Sequence, residues 1–144
     1  MQSLFSFKTF TLGLVLALAL GLTGLQQTGI SASNDIPTLP AELRTPNKVV
    51  MLDFYADWCG TCQNLKPYVD SLYKEYGSRL QLIHINVDNG VNRKYVQLYG
   101  ISGTPTYILF DSKGKGLYRT NYSFSPKAFK EEVIKATKDC PHSC

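Results

Sequence analysis

Two cysteines separated by two residues, in the run Asp57-Trp58-Cys59-Gly60-Thr61-Cys62, are the residues of this chain best suited to chemistry. A Cys-x-x-Cys pair can ligate a metal, close a static disulfide, or cycle between dithiol and disulfide. A zinc site needs further donors, and Cys140, His142 and Cys144 could supply them. The element that carries the pair decides between these chemistries. KVVMLDFYA (48–56) is an almost unbroken apolar run, the pattern of a central strand buried on both faces. After the cysteines, Leu65, Tyr68, Val69, Leu72, Tyr73 and Tyr76 fall on one helical stripe. Pro67 lies inside that helix and should kink it, and Gly77 is its stop. The pair therefore opens a helix directly after a buried strand, which zinc knuckles rarely do. At a helix N-terminus, unpaired N–H groups and partial positive charge stabilise a thiolate. This favours a redox dithiol over the two alternatives, a zinc site and a static disulfide.

The elements that must position the pair continue in the same style. LQLIHINVD (80–88) reads as a second strand, 91–99 as a short helix before Gly100, and TPTYILFD (104–111) as a third strand. SKGKG (112–116) is a turn and LYRTNY (117–122) a fourth strand. Ser125 caps a last helix that starts at Pro126 and turns Phe129, Val133 and Ala136 or Thr137 to the core. The order is β-α-β-(α)-β-β-α over residues 48–138, an α/β domain without internal repeats.

Composition excludes several classes. The chain of 144 residues fits one domain, and its net charge of +4 is spread without a basic run, so nucleic-acid binding is not indicated. Four cysteines are too few to build a disulfide miniprotein. Residues 1–34 carry a single charge, Lys8, followed by the apolar run FTLGLVLALALGLTGL (10–25). That is the pattern of a signal peptide or a membrane anchor helix. Ile30-Ser31-Ala32-Ser33 offers small residues for cleavage, and both forms remain open. Either form implies an extracytoplasmic domain, in a periplasm or a thylakoid lumen, with Lys8 on the cytoplasmic side. Residues 35–47 read as a linker with at most one short helical turn, and 139–144 as an exposed, mobile tail holding Cys140 and Cys144. In an oxidising compartment that pair is expected to form a second disulfide, one that could trade electrons with Cys59–Cys62 if the tail reaches them.

FYADWCGTCQNLKP (54–67) resembles the active-site segment of the thioredoxin family, and ISGTPTYILFD (101–111) resembles its second signature. FYADWC with NVDN (86–89) is also similar to the membrane-anchored, lumen-facing members of thylakoids and cyanobacteria. The resemblance covers about residues 47–138 and implies a thioredoxin fold, a central mixed four-stranded sheet flanked by helices. The family's usual first strand and helix have little room in 35–47. By position, Cys59 should be the more exposed, attacking thiol and Cys62 the resolving one. Asp53 sits in an apolar strand, where an unpaired carboxylate is costly; the resemblance makes it the group exchanging a proton with Cys62. Asp57 reads as a solvated loop residue. Trp58, Gly60, Thr61, Thr104 and Pro105 become the substrate-binding set, with Thr104-Pro105 matching the family's cis-proline. Thr61 stands where reducing thioredoxins carry proline, and its added N–H and hydroxyl make the couple less reducing. His84 occupies the position of the family's lysine and is placed to share a proton with Asp53. The expected activity is that of an exported protein-disulfide reductase without cofactor or metal. Its clients would be disulfide-containing proteins such as apocytochromes, and its electrons would come from a membrane thiol carrier. The alternatives are an oxidase or isomerase, and a non-catalytic binding or assembly module with structural cysteines.

Overall fold

The computed structural model describes residues 35–121, 125–138 and Cys140. The expected signal or anchor over 1–34 lies outside these residues. Among the described residues no helix is long and apolar enough to cross a membrane.

Strand β1 (Val49–Tyr55) is an inner strand of a four-stranded sheet ordered β2-β1-β3-β4, with β2 (Leu80–Asn86), β3 (Thr106–Phe110) and β4 (Gly116–Asn121). β1 and β2 run parallel, joined by helix α1 (Gly60–Tyr76), while β3 pairs antiparallel with both β1 and β4. A 3-10 turn (Gly90–Asn92) leads into α2 (Arg93–Leu98), and α3 (Pro126–Lys138) follows β4. β1, β2 and β3 end inside their expected ranges, while β4 begins one residue earlier than expected, at Gly116. At the end of β2 the Asn86 side chain accepts the Asp88 N–H and turns the chain away. Before β3 the Thr104–Pro105 peptide is cis.

Alternation along β1 splits the core in two. Val49 and Met51 face α1 and α3, packing with Val69, Leu72, Phe129 and Val133. Val50, Leu52 and Phe54 face the other way, onto Ile85, Tyr99, Ile108 and Phe110. Each such side chain contributes about 1.5–3 kcal/mol by leaving water. Tyr73, expected on the buried stripe of α1, is 40% exposed because it lies at that stripe's edge, past Val69 and Leu72. The helix runs on through Pro67. Ser125 Oγ accepts the Ala128 N–H at the start of α3.

Residues 35–47 hold the single short turn expected of them, Ala41–Leu43, but they are also docked on the sheet. Leu39 is fully buried in the second core half, and its N–H donates to the Gly114 carbonyl at 2.9 Å. A Cβ on Gly116 would run into the Ile36 side chain, so the segment lies directly against β4. It is packed structure where a tether was expected, because Ile36, Leu39 and Leu43 cover the apolar sheet face made by Val50, Leu52, Phe54, Ile108 and Phe110.

Tyr99 joins Phe54 and Phe110 in a cluster of tilted rings, with centroids 5.9 and 5.7 Å away. Its hydroxyl is buried without a hydrogen-bond partner among the described residues. Burial, then the charges of Tyr95 and Glu42, push its phenol up to about 12. The folded state thus favours the neutral form, and this contribution is intact below the phenol's ordinary value of 10.0 and lost as pH rises towards 12. Tyr99→Phe should leave neutral-pH stability unchanged or raise it by up to about 1 kcal/mol. It should also flatten the loss of stability above pH 10. Urea unfolding across that range checks this; an unchanged alkaline slope would contradict it.

Candidate active site

The site is built where β1 ends and α1 begins. Cys59 is the N-cap residue of α1, and its Sγ accepts the Cys62 N–H at 3.1 Å. The Cys59 N–H in turn donates to the Ala56 carbonyl. The two cysteines are joined in a disulfide. Cys59 was expected to be the more exposed, yet it is 5% exposed and Cys62 is 8%. With the sulfurs bonded to each other and packed among Tyr55, Ala56 and Val87, exposure does not separate their roles. Position does: Cys59 caps the helix, whereas Cys62 lies one turn in, on the stripe that continues through Val69 and Leu72.

The same pleat that turns Val49 and Met51 towards α1 turns Asp53 that way too, into a cavity of about 360 Å³. Asp53, Tyr55 and His84 line it from the sheet, Cys62, Gln63 and Lys66 from α1, and Ala56 and Asp57 from the connection. The parallel register sets Asp53 directly beside His84, and Tyr107 is its partner across β3. His84 Nδ1 lies 2.8 Å from Asp53 Oδ2. Asp53 Oδ1 is buried with no partner among the described residues. On the far flank, burial and then the Asp53 charge push the Tyr107 phenol up. A carboxyl group and a thiol lining one cavity can exchange a proton directly or through water.

The rim is exposed. Trp58, the only tryptophan of the chain, is 72% exposed, and its indole N–H donates to Asp88 Oδ2 at 2.7 Å. Gly60 has open space where a Cβ would stand, so nothing inside the fold demands glycine there. Thr61 is exposed in the first turn of α1. Pro105 is buried behind the cis bond, and Thr104 Oγ1 is buried without a hydrogen-bond partner among the described residues. Asp57 is exposed as expected, but it is also tied in: Asn86 Nδ2 donates to Oδ2 at 3.1 Å and Gln63 Nε2 to the carbonyl at 2.9 Å.

Three positioning residues escaped the sequence reading. Asp88 fixes the Trp58 indole. Arg119 donates to the Tyr99 carbonyl at 2.6 Å and the Gly100 carbonyl at 3.2 Å, tying β4 to the loop that enters the cis-proline. Lys66 lines the cavity, its Nζ held by Asp70. Trp58, Asp88, Tyr99 and Gly100 all lie outside the strands, so no local pattern in the sequence points to the first two contacts.

Cys140 does not sit on an exposed tail. It is 4% exposed, with Sγ 2.8 Å from the Asn47 carbonyl oxygen. Asn47, in the left-handed region at φ 60°, turns the chain into β1, and the chain just past α3 packs on that turn. Cys140 thus stands at the start of β1 and the Cys59–Cys62 pair beyond its end, roughly 20 Å along a seven-residue strand. His142 and Cys144 lie outside the described residues, as does the expected Cys140–Cys144 disulfide.

Comparison with known proteins agrees with this geometry. The family model described as Thioredoxin matches residues 38–138. Thioredoxin of Bacillus subtilis (strain 168) is 32% identical over 90 residues, 62% of this chain and 83% of that protein. The thiol:disulfide interchange protein TxlA of Synechococcus elongatus is 34% identical over 112 residues, 71% of this chain but 58% of that protein. A solved mutant thioredoxin of Halobacterium salinarum superposes with a TM-score of 0.56 at 35% identity, covering 63% of this chain and 76% of that one.

Asp88→Ala should release the indole while costing no more than about 1 kcal/mol, because the bond is exposed. Fluorescence anisotropy decay of the single tryptophan should show faster local motion. Unaltered decay would mean that packing, not Asp88, holds Trp58.

Proposed function

The chain belongs to the thioredoxin family and is a thiol–disulfide oxidoreductase acting on disulfide-containing proteins, and from that premise we propose the direction, the place and the residues of its reaction. The reading is of an exported reductase. Its clients are extracytoplasmic proteins, apocytochromes among them, and its electrons come from a membrane thiol carrier that can reach a site cytosolic reductants cannot. The observation that carries it is a Cys59–Cys62 pair at a helix N-terminus above a cavity that holds a buried carboxylate. The apolar run behind Lys8 supports export. Similarity to a cyanobacterial thiol:disulfide interchange protein supports work on protein disulfides.

In the reductive half-reaction the Cys59 thiolate attacks one sulfur of the client disulfide. A Cys59–client bond forms, and the second client sulfur leaves as thiolate and takes a proton. Cys62 gives its proton to Asp53 and attacks Cys59 Sγ, so the Cys59–Cys62 bond forms and the first client sulfur departs. Trp58, Gly60 and Thr61 form the docking rim. The backbone at Thr104, set by cis-Pro105, pairs with an extended client segment in the manner of strand addition. Thr61 favours a second reading, an oxidase or isomerase, because its N–H and hydroxyl stabilise the thiolate and make the disulfide easier to reduce.

Full-length chain carrying Cys62→Ser, expressed in cells and trapped with acid, should accumulate mixed disulfides through Cys59, whereas Cys59→Ser should accumulate few. The captured proteins should be exported ones. Equal trapping by both variants would overturn the order of attack, and capture of cytosolic proteins alone would overturn export.

A further inference from the structure

We propose that His84 is the solvent-side half of a proton relay for Cys62: as the buried sulfur loses its proton to Asp53, His84 releases one to water. The inference rests on the Asp53–Cys62 exchange proposed above and extends it outward.

Asp53 is 7% exposed and lines the cavity together with Cys62, and its Oδ1 is buried without a partner among the described residues. Its other oxygen, Oδ2, is held by His84 Nδ1 at 2.8 Å. The His84 side chain is 41% exposed, so the pair bridges the cavity and bulk water. The Tyr55 ring stands edge-on to the imidazole, centroids 6.0 Å apart and planes at 87°, and fixes its plane. The other charged groups at the cavity are engaged elsewhere. Lys66 Nζ is bound by Asp70 at 2.6 Å, and Asp57 Oδ2 accepts from Asn86. Tyr107 flanks Asp53 from β3, its phenol pushed up and hence neutral. β2 itself carries no titratable side chain besides His84.

The relay starts from an Asp53 carboxylate hydrogen-bonded to a His84 imidazolium. The Cys62 proton moves to the Asp53 carboxylate, and His84 sheds its Nε2 proton to water, leaving a carboxylic acid hydrogen-bonded to a neutral imidazole. The freed Cys62 electron pair forms the bond to Cys59 Sγ, and the client sulfur leaves with the electrons of the bond that breaks. The pair is neutral before and after, so no uncompensated charge is left in the strand, which would be costly. When the disulfide is reduced again, Asp53 returns its proton to the departing Cys62 sulfur and His84 takes one up from water. Histidine suits this because both ring nitrogens exchange protons near neutral pH.

The test is stopped-flow reaction of the reduced full chain with Ellman's reagent. The first thionitrobenzoate released reports attack by Cys59, and the second reports resolution by Cys62. His84→Asn keeps an amide donor at the Nδ1 position but cannot release a proton. It should leave the first phase unchanged and slow the second on the order of ten-fold, with added imidazole restoring most of the loss. Asp53→Asn should slow the second phase on the order of 10²-fold, without rescue. Resolution at the wild-type rate in His84→Asn, with Asp53→Asn slow, would overturn the relay alone. Slow resolution that imidazole does not restore would also overturn it, leaving His84 as a support for Asp53. Wild-type resolution in Asp53→Asn would bring down the Asp53 reading and the relay with it. An unchanged first phase shows that each variant is folded; His84→Gln is the substitute if His84→Asn fails that check.

Discussion

Asp53 is a carboxylate in the middle of a strand whose neighbours Met51, Leu52 and Phe54 are wholly buried. An unpaired charge there would cost several kcal/mol. The fold accommodates it by register. The parallel pairing of β1 and β2 sets His84 beside it, and the start of α1 leaves a cavity that Asp53 lines. Any one-residue slip between β1 and β2 would put an apolar side chain beside the carboxylate and turn His84 to the other face. The residue that makes the strand expensive is therefore also the one that ties sheet register to the cysteines.

The redox pair depends on the same junction. β1 delivers the chain to the N-terminus of α1, where Cys59 replaces the usual oxygen cap with sulfur and receives the Cys62 N–H. Thiolate stabilisation at such a terminus is a property of the backbone, so it needs no neighbouring cation. Around it, separate elements fix the rim. Asp88, beyond β2, holds Trp58, and Arg119 on β4 holds the loop that precedes the cis peptide. The site is thus a meeting of strand ends, supported by bonds between residues 30 and 20 positions apart in sequence.

The redox pair, its helix and the strand before it were legible because they depend on local pattern: an apolar run, a Cys-x-x-Cys spacing, a stripe at helical period. The core positions of α3 were legible for the same reason. The closeness of His84 to Asp53 came from a family position, and the register accounts for it. What local pattern could not supply was long-range docking. The 35–47 segment is rich in proline and polar residues and reads as linker, yet three apolar side chains suffice to seat it on the sheet. Cys140 follows a fading helical pattern and reads as tail, yet it is buried against Asn47. Both depend on surfaces offered by distant residues, which no window along the chain contains.

The proposed chemistry requires that Cys59–Cys62 be a reversible couple rather than a permanent staple. Equilibrating the full chain against a graded series of thiol–disulfide buffers, and counting alkylated cysteines by mass spectrometry, measures this directly. A working couple will gain and lose two electrons together at Cys59–Cys62, with a midpoint in the exchange-competent range of about −270 to −120 mV. A pair that stays oxidised below about −300 mV, as static disulfides do, would contradict it.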